Sequence, residues 1–390
     1  MFAATVKSPR KRLRPTALSF ADIANEHVRA IAAFQPAKPF YAVAAELGLA
    51  PDKIARLAAN ENPLGPSPRA VAAMKAAAQE AHRYPDSGSW ALREAIAKKF
   101  ALAPEEVFIG NGTNEIIDLL CRVFLGADKQ AVVGKNGFAI YSICARQSGA
   151  RVFAVPFKNY AHDLDAMADA IRSRTRLVFL DNPCNPTGTR VSNAALDRFI
   201  RRLPPHVVLV LDDAYHEFLD APYDSPRWIR RSATQNPKPK THCPKVVVLR
   251  SFSKACGMSG ARIGYALAPR QCIELLNKIR QPYNVNAIAQ AGALAALGDD
   301  EHIRRTREAV KHGREWLQAQ LKQLGAEFIP SCTNFVLVRV GDGAAAAKRL
   351  MRLGVIVFPA AIYHLPHWIR VSVGAPEDNI RFIRALEQIL

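Results

Sequence analysis

Nothing in this chain is apolar for long enough to cross a membrane. No two cysteines are spaced as CxxC, and the seven present are scattered and odd in number. That usage argues against a disulfide framework or a metal site such as zinc, and for reduced thiols in a cytoplasmic protein. No internal repeat or low-complexity tract is present. Acidic residues are scarce: 34 Asp and Glu stand against 53 Lys and Arg, a formal charge of +19. The segment from Arg227 to Arg270 has no acid at all.

The basic excess has two readings. A nucleic-acid-binding protein would use it to neutralise phosphates. A solvated basic surface would instead draw in an anionic cofactor or substrate. No aromatic-interleaved basic stripe, helix-turn-helix signature or zinc-finger spacing accompanies the charge, so nucleic acid is not expected as a partner. Lys7, Arg10, Lys11, Arg12 and Arg14 precede no apolar core segment, which argues against a secretory signal and leaves a basic arm over residues 1–40. At 390 residues, 49% of them hydrophobic, the chain can build one large domain with a smaller companion.

Taken in order, Phe20 to Ala33 reads as a short helix, broken by Gln35-Pro36-Ala37-Lys38-Pro39. Ala42–Leu47 is a second helix. Asn60-Glu61-Asn62-Pro63-Leu64-Gly65-Pro66-Ser67-Pro68 is a loop, followed by a helix over Arg69–Ala81. From Val107 to Leu267 strands alternate with helices. Strands are expected at Val107–Ile109, Ala131–Val133, Val152–Val155, Leu177–Leu180, Val207–Leu211, Val246–Leu249 and Ile263–Leu267. Such alternation predicts a mainly parallel sheet covered on both faces, an α/β domain of three layers. Pro222 to Pro244 reads as a long connection without an element of its own. Beyond Arg270, helices at Gln271–Ile279, Asn286–Leu297 and Glu301–Leu324 precede strand Phe335–Val340. Helix Ala344–Leu353, strands Val355–Phe358 and Trp368–Val373, and a helix from Glu377 complete a smaller α+β domain. The expected division is 41–284 for the large domain and 285–390 for the small one.

Chemistry concentrates at strand ends, where open α/β sheets bind ligands. Behind Val246–Leu249 comes Arg250-Ser251-Phe252-Ser253-Lys254-Ala255-Cys256-Gly257-Met258-Ser259-Gly260-Ala261-Arg262. Hydroxyls, cations and glycines there suit a phosphate, and a lysine desolvated among cations is a nucleophile toward carbonyls. On its own, the stretch reads equally well as a basic surface loop. Asn111-Gly112-Thr113-Asn114-Glu115 feeds a helix over Ile116–Leu125, either as an anion site at its N-terminus or as an ordinary cap. Asn182-Pro183-Cys184-Asn185-Pro186-Thr187-Gly188 follows a buried strand and faces the same crevice. Asp212 ends the apolar run Val207–Leu211, where an acid is costly unless paired; alone, it is more simply a cap or an arginine's partner. Arg370 interrupts the apolar Trp368–Val373 and wants a planar anion.

Ser-Phe-Ser-Lys-Ala-x-Gly-x-x-Gly-x-Arg resembles the cofactor-lysine signature of the fold-type I pyridoxal-phosphate aminotransferases of class I and II. The loop at Asn60–Pro68 and Tyr84-Pro85-Asp86 are similar to the histidinol-phosphate aminotransferase branch. About eight such motifs run in family order from Gln35 onward. The resemblance implies the fold-type I transferase fold with a seven-stranded sheet. It implies pyridoxal 5′-phosphate held by Lys254 as a Schiff base, and amino transfer between a small-molecule amino donor and a 2-oxo acid. It further implies that Gly112, Thr113, Asn114, Ser251, Ser253 and Arg262 meet the cofactor's phosphate side, with Phe138 stacked on its ring. Asn185 and Tyr215 would bond its phenolic oxygen and Asp212 its ring nitrogen. Tyr84 would reach the partner subunit's site in a homodimer with shared active sites. Arg370, Asn334 and Tyr283 would border the substrate. The family usually has an aspartate where this chain has Asn114. The histidinol-phosphate branch commonly has Tyr and Arg where Phe34 and Phe358 stand. Those last two replacements remove phosphate donors and add apolar surface. They bring in an aromatic donor, or a decarboxylase or oxidase on the same fold, as alternatives. A non-catalytic nucleic-acid-binding protein on this fold is the alternative of another class.

Overall fold

The computed structural model describes residues 18–33, 36, 38–234 and 244–390. Most of the basic arm, Phe34 and part of the connection before Pro244 lie outside the described residues. The first strand, β1 (Ala55–Arg56), leads into the loop of Asn60–Pro68. The next seven form one sheet: β2 (Val107–Gly110), β3 (Gln130–Gly134), β4 (Arg151–Val155), β5 (Thr175–Asp181), β6 (Val208–Asp212), β7 (Lys245–Ser251) and β8 (Gly264–Leu267). Their order is β2-β8-β7-β6-β5-β3-β4, parallel except for β8, which runs against both its neighbours.

The apolar strands of this sheet are explained by burial on two faces. Leu209, Leu211, Val246 and Val248 enter one hydrophobic core, while Val208, Val210, Val247 and Leu249 enter the other. Each fully buried side chain of this kind stabilises the fold by about 1.5–3 kcal/mol relative to exposure. Helices cover both faces, giving the three layers and seven strands expected from the sequence.

A second unit carries an antiparallel sheet of β9 (Phe328–Ile329), β10 (Phe335–Arg339), β12 (Phe358–Pro359) and β13 (Trp368–Ser372), while β11 (Val355–Ile356) pairs with β1. Ala55 and Leu57 thus share a core with Val355, Val371 and Phe382, although the sequence reading placed them with the large domain. The single strand expected over Val355–Phe358 is two strands in two sheets. Buried Val357 separates them, and Pro359, which lacks an N–H, stands in the edge strand.

Two further expectations need correction. Phe20–Ala33 is not one helix but two of four residues, Phe20–Ile23 and Glu26–Arg29, because Ala24 adopts extended backbone between them. Pro222–Pro244 is not elementless: it contains the helix Arg227–Thr234. Trp228 and Ile229 bury their side chains there, Arg227 pairs with Asp197, and Arg230 pairs with Asp224. Pro226 falls just before the helix, where a missing N–H costs nothing. No described helix is long and apolar enough to cross a membrane.

Candidate active site

The C-terminal ends of β5, β6 and β7 and the start of the helix Thr113–Phe124 enclose a cavity of about 540 Å³. Thr113, Asn114, Phe138, Asn185, Asp212, Tyr215, Ser251, Ser253, Lys254, Arg262 and Arg370 all line it. Twelve of the expected side chains and backbone positions therefore meet in one place, if Gly112 beside Thr113 is included.

At one end, Gly112 caps the helix Thr113–Phe124 with no side-chain hydrogen bond, so the first N–H groups stay free for an anion. The motif is therefore not a capping box. Glu115 instead accepts from the Asn111 N–H at 2.6 Å and from Asn284 at 2.8 Å. Gly112 has φ +76°, and a Cβ there would come 2.6 Å from the Arg262 guanidinium. The positive φ is what calls for glycine, while a Cβ would also push the end of the Arg262 side chain aside. Arg262 is anchored through Nη1 to the Ser259 carbonyl at 2.9 Å, and Ser251 Oγ accepts from the Ser253 N–H at 3.0 Å. Hydroxyls, a guanidinium and an open helix N-terminus make a site for a phosphate group.

Lys254 occupies the middle, half-buried, its Nζ donating to the Ala59 carbonyl at 3.1 Å. Burial, then the nearby Arg370 and Arg262 charges, lower its pKa to about 8. Its amine is thus available as a nucleophile near neutral pH. At the far end, Asp212 is buried and bonded by neutral donors, the Tyr141 hydroxyl at 2.9 Å and the Ala214 N–H at 3.0 Å. Burial and the neighbouring Asp181 push its pKa up to about 7. A cation placed against it would hold it ionised.

The second unit closes the cavity with Arg370, opposite Phe358 in the β12–β13 register. Arg370 is buried and donates to Asn185 Oδ1 at 2.5 Å and to the Ala58 carbonyl at 2.8 Å. Its Nε has no partner among the described residues, and its guanidinium lies 4.7 Å from the Phe358 ring. Tyr215 accepts from Asn60 Nδ2 at 2.9 Å. Burial and the cavity's own phenols and acids keep its hydroxyl protonated.

Three expected residues do not line the cavity. Asn334 is fully buried behind it and donates to the Asn60 carbonyl at 2.9 Å, holding that loop. Tyr84 and Tyr283 are exposed and stack on each other at 4.6 Å. Phe358, expected at the substrate's side, lines it as well, while Asn60, Tyr141, Asp181, Ser259 and Tyr363 line it without having been assigned there from sequence. Asp181 carried the same signal as Asp212, an acid ending an apolar strand. Among the described residues His162, Asp181 and Cys184 bring donor atoms within 4.8 Å of one another. The His162–Asp181 contact is a closed hydrogen bond at 2.7 Å, and burial holds the Cys184 thiol protonated, so the trio is engaged without an ion.

A phosphate subsite, a nucleophilic lysine and a buried acid awaiting a cation suit a phosphorylated aldehyde with a basic ring nitrogen, which defines the site as that of a pyridoxal-phosphate enzyme. The profile of the family Aminotransferase class I and II matches residues 52–386. A histidinol-phosphate aminotransferase 2 of Ralstonia nicotianae is 45% identical over 94% of this chain and 96% of its own. A histidinol-phosphate aminotransferase of Akkermansia muciniphila is 42% identical over 96% and 100%. The crystal structure of the Sinorhizobium meliloti histidinol-phosphate aminotransferase in complex with pyridoxal-5′-phosphate superposes with a TM-score of 0.80 at 27% identity, covering 98% of each chain. The chain belongs to the class I and II aminotransferases. It is a pyridoxal-phosphate-dependent aminotransferase, and nucleic-acid binding on a non-catalytic fold is not favoured.

Proposed function

We propose that this enzyme takes the amino group of histidinol phosphate and passes it to a 2-oxo acid. The observation that carries the reading is the meeting of Lys254, Asp212 and Arg370 around one cavity in a chain whose relatives bear that name. When bound, pyridoxal phosphate supplies the aldehyde that accepts the amino group and the ring that absorbs electrons. Lys254 Nζ would be the attachment point and, once free, the base that takes the proton from the donor's amino-bearing carbon and delivers it to the carbon that had been the cofactor's aldehyde. Gly112, Thr113, Asn114, Ser251, Ser253 and Arg262 would hold the phosphate. Asp212 would keep the ring nitrogen protonated, Phe138 would cover the ring, and Asn185 with Tyr215 would bond its phenolic oxygen. Arg370 orients the donor through an anionic group, and its unpartnered Nε leaves capacity for one.

The assembly in this reading is a homodimer in the cytoplasm, each chain built from a large domain over 41–284 and a small one over 285–390, with Ala55 and Leu57 contributed to the small domain's core. Tyr84, 83% exposed although its ring stacks on Tyr283, supports the dimer because its outer face is accessible to a neighbouring copy. Phe358 favours a second donor: its ring against Arg370 offers apolar surface to an aromatic amino acid. An amino-donor panel decides between them. Histidinol phosphate is expected to give the highest kcat/KM. A higher value with phenylalanine or tyrosine would overturn the donor while leaving amino transfer intact.

A further inference from the structure

Asp181 and Asp212 are register partners at the ends of adjacent strands β5 and β6, and both reach the cavity. Two buried carboxylates side by side oppose each other's ionisation, and Asp181 is the main charge that raises the pKa of Asp212. Yet ring binding calls for Asp212 to be the ionised acid. The side of Asp181 away from Asp212 carries a feature that answers this conflict. Its Oδ2 accepts from the Asn185 N–H at 2.7 Å, and its Oδ1 meets His162 Nε2 at 2.7 Å.

The imidazole is built in rather than incidental. His162 is buried, with the Phe157 ring set edge-on at 4.6 Å. A Cβ at Gly134 would come 2.6 Å from His162 Nδ1, and one at Gly137 would come 3.5 Å from both the ring and Asp181. Gly134 thus clears the space the ring fills, whereas a Cβ at Gly137 would meet it only in ordinary van der Waals contact. Its Nδ1 has no partner among the described residues. The other titratable groups facing the two acids are Tyr141, Cys184 and Tyr363 against Asp181, and Tyr141, Tyr215, Asp213 and Lys254 around Asp212. Burial keeps Tyr141 and Cys184 neutral, so the imidazole is the side chain against Asp181 able to supply positive charge.

We propose that His162 is a positioning residue for the cofactor: by taking up the charge of Asp181, it leaves Asp212 free to ionise against the ring nitrogen. The proposal rests on the pyridoxal-phosphate reading of the cavity. It adds a His162–Asp181–Asp212 chain in which the histidine never touches cofactor or substrate.

The test is titration of apoprotein with pyridoxal phosphate between about pH 5.5 and 9, reading bound cofactor by absorbance and the pH midpoint at which affinity falls. Three proteins are compared with wild type: His162→Gln, Asp181→Asn and the double variant. Glutamine keeps a donor near the Nε2 position but cannot carry charge. Affinity is expected to weaken toward low pH as Asp212 protonates. His162→Gln should raise that midpoint by about 0.5 pH unit or more, and Asp181→Asn, which removes a charge already offset, should move it by no more than about 0.2 unit. The double variant should follow Asp181→Asn, since a neutral residue 181 leaves the histidine nothing to offset. A His162→Gln midpoint within about 0.2 unit of wild type, whatever its melting temperature, would reduce the residue to packing and overturn the proposal. If His162→Gln does not fold, Asp181→Asn decides alone. A midpoint within about 0.2 unit of wild type then supports the offset. One lowered by about 0.5 unit or more shows that the charge of Asp181 was never taken up and overturns the proposal. Wild-type protein that binds no pyridoxal phosphate at any pH would strike down the cofactor reading, and the proposal with it.

Discussion

At the phosphate end of the cavity the groups stand partly in water. Asn114 and Arg262 are exposed, and Thr113, Ser251 and Ser259 are half-buried. At the ring end Asp181, Asn185, Asp212, Tyr141 and His162 are all buried. Several donors share one anion at the first end, and solvent screens each of them, so the loss of one is tolerated. At the second end a single charge acts at low dielectric with few partners, and its loss is transmitted to its neighbours. In the proposed function, retention of the cofactor is therefore spread over many residues, Asp212 among them, while the chemistry hangs on few.

Variants that break this contrast fall in a definite order. Lys254→Ala removes attachment point and base together, and should lower turnover by more than about 10³-fold with the fold intact. Steady-state assays alongside circular dichroism check this, and near-wild-type turnover would break the account. Asp212→Asn should cost about 10²-fold in kcat at saturating cofactor, with binding weakened but not lost, because an amide cannot hold a ring nitrogen protonated.

Asp212 also carries a pH signature in the ligand-free protein. Its carboxyl keeps its proton up to about pH 7 when folded, against an ordinary value of 3.8. Folded chain thus binds a proton that unfolded chain has released, and apoprotein stability from this group falls as pH rises between those values. Asp212→Asn should remove that decline in denaturant unfolding measured across the window. An unchanged slope would place the proton elsewhere.

At the phosphate end, Gly112→Ala should weaken cofactor binding by about tenfold with kcat at saturation preserved, since the added Cβ strains the backbone and displaces Arg262. Equilibrium dialysis of the cofactor measures it; a collapse of kcat instead would erase the difference between the two ends. The smallest effect belongs to Tyr84→Phe, one hydroxyl on an exposed side chain. Mixed with Lys254→Ala chains, it should regain cofactor retention in heterodimers, because the lysine-bearing site then receives the partner's intact tyrosine. Retention no better than in the Tyr84→Phe parent would confine that tyrosine to its own subunit or to neither site.

The strand ends were legible because a doubly covered parallel strand is almost wholly apolar, so any polar residue just beyond it stands out. Asp212, Asn185 and Lys254 stood out in this way. The Lys254 stretch alone read equally well as a surface loop, and Asp212 alone as a cap or an arginine's partner; only the family resemblance gave them roles. Asp181 stood out equally, ending the run Leu177–Leu180, but strand pairing, which sequence does not display, is what sets it beside Asp212. His162 lies between short elements with no periodicity around it, and only the packing of Gly134 and Phe157 reveals its place. The helix Arg227–Thr234 was hidden by surrounding prolines, although Trp228 and Ile229 offered it a buried face. The split of Val355–Phe358 depends on pairing with β1, some three hundred residues earlier in the chain.

The claim on which the rest depends is that the cofactor is held covalently by Lys254. Borohydride reduction of the holoenzyme, proteolysis and mass spectrometry of the peptides test it directly. The account predicts a stoichiometric pyridoxyl-phosphate mass on the peptide containing Ser253-Lys254-Ala255. Label on another lysine, or cofactor released without any label, would contradict it.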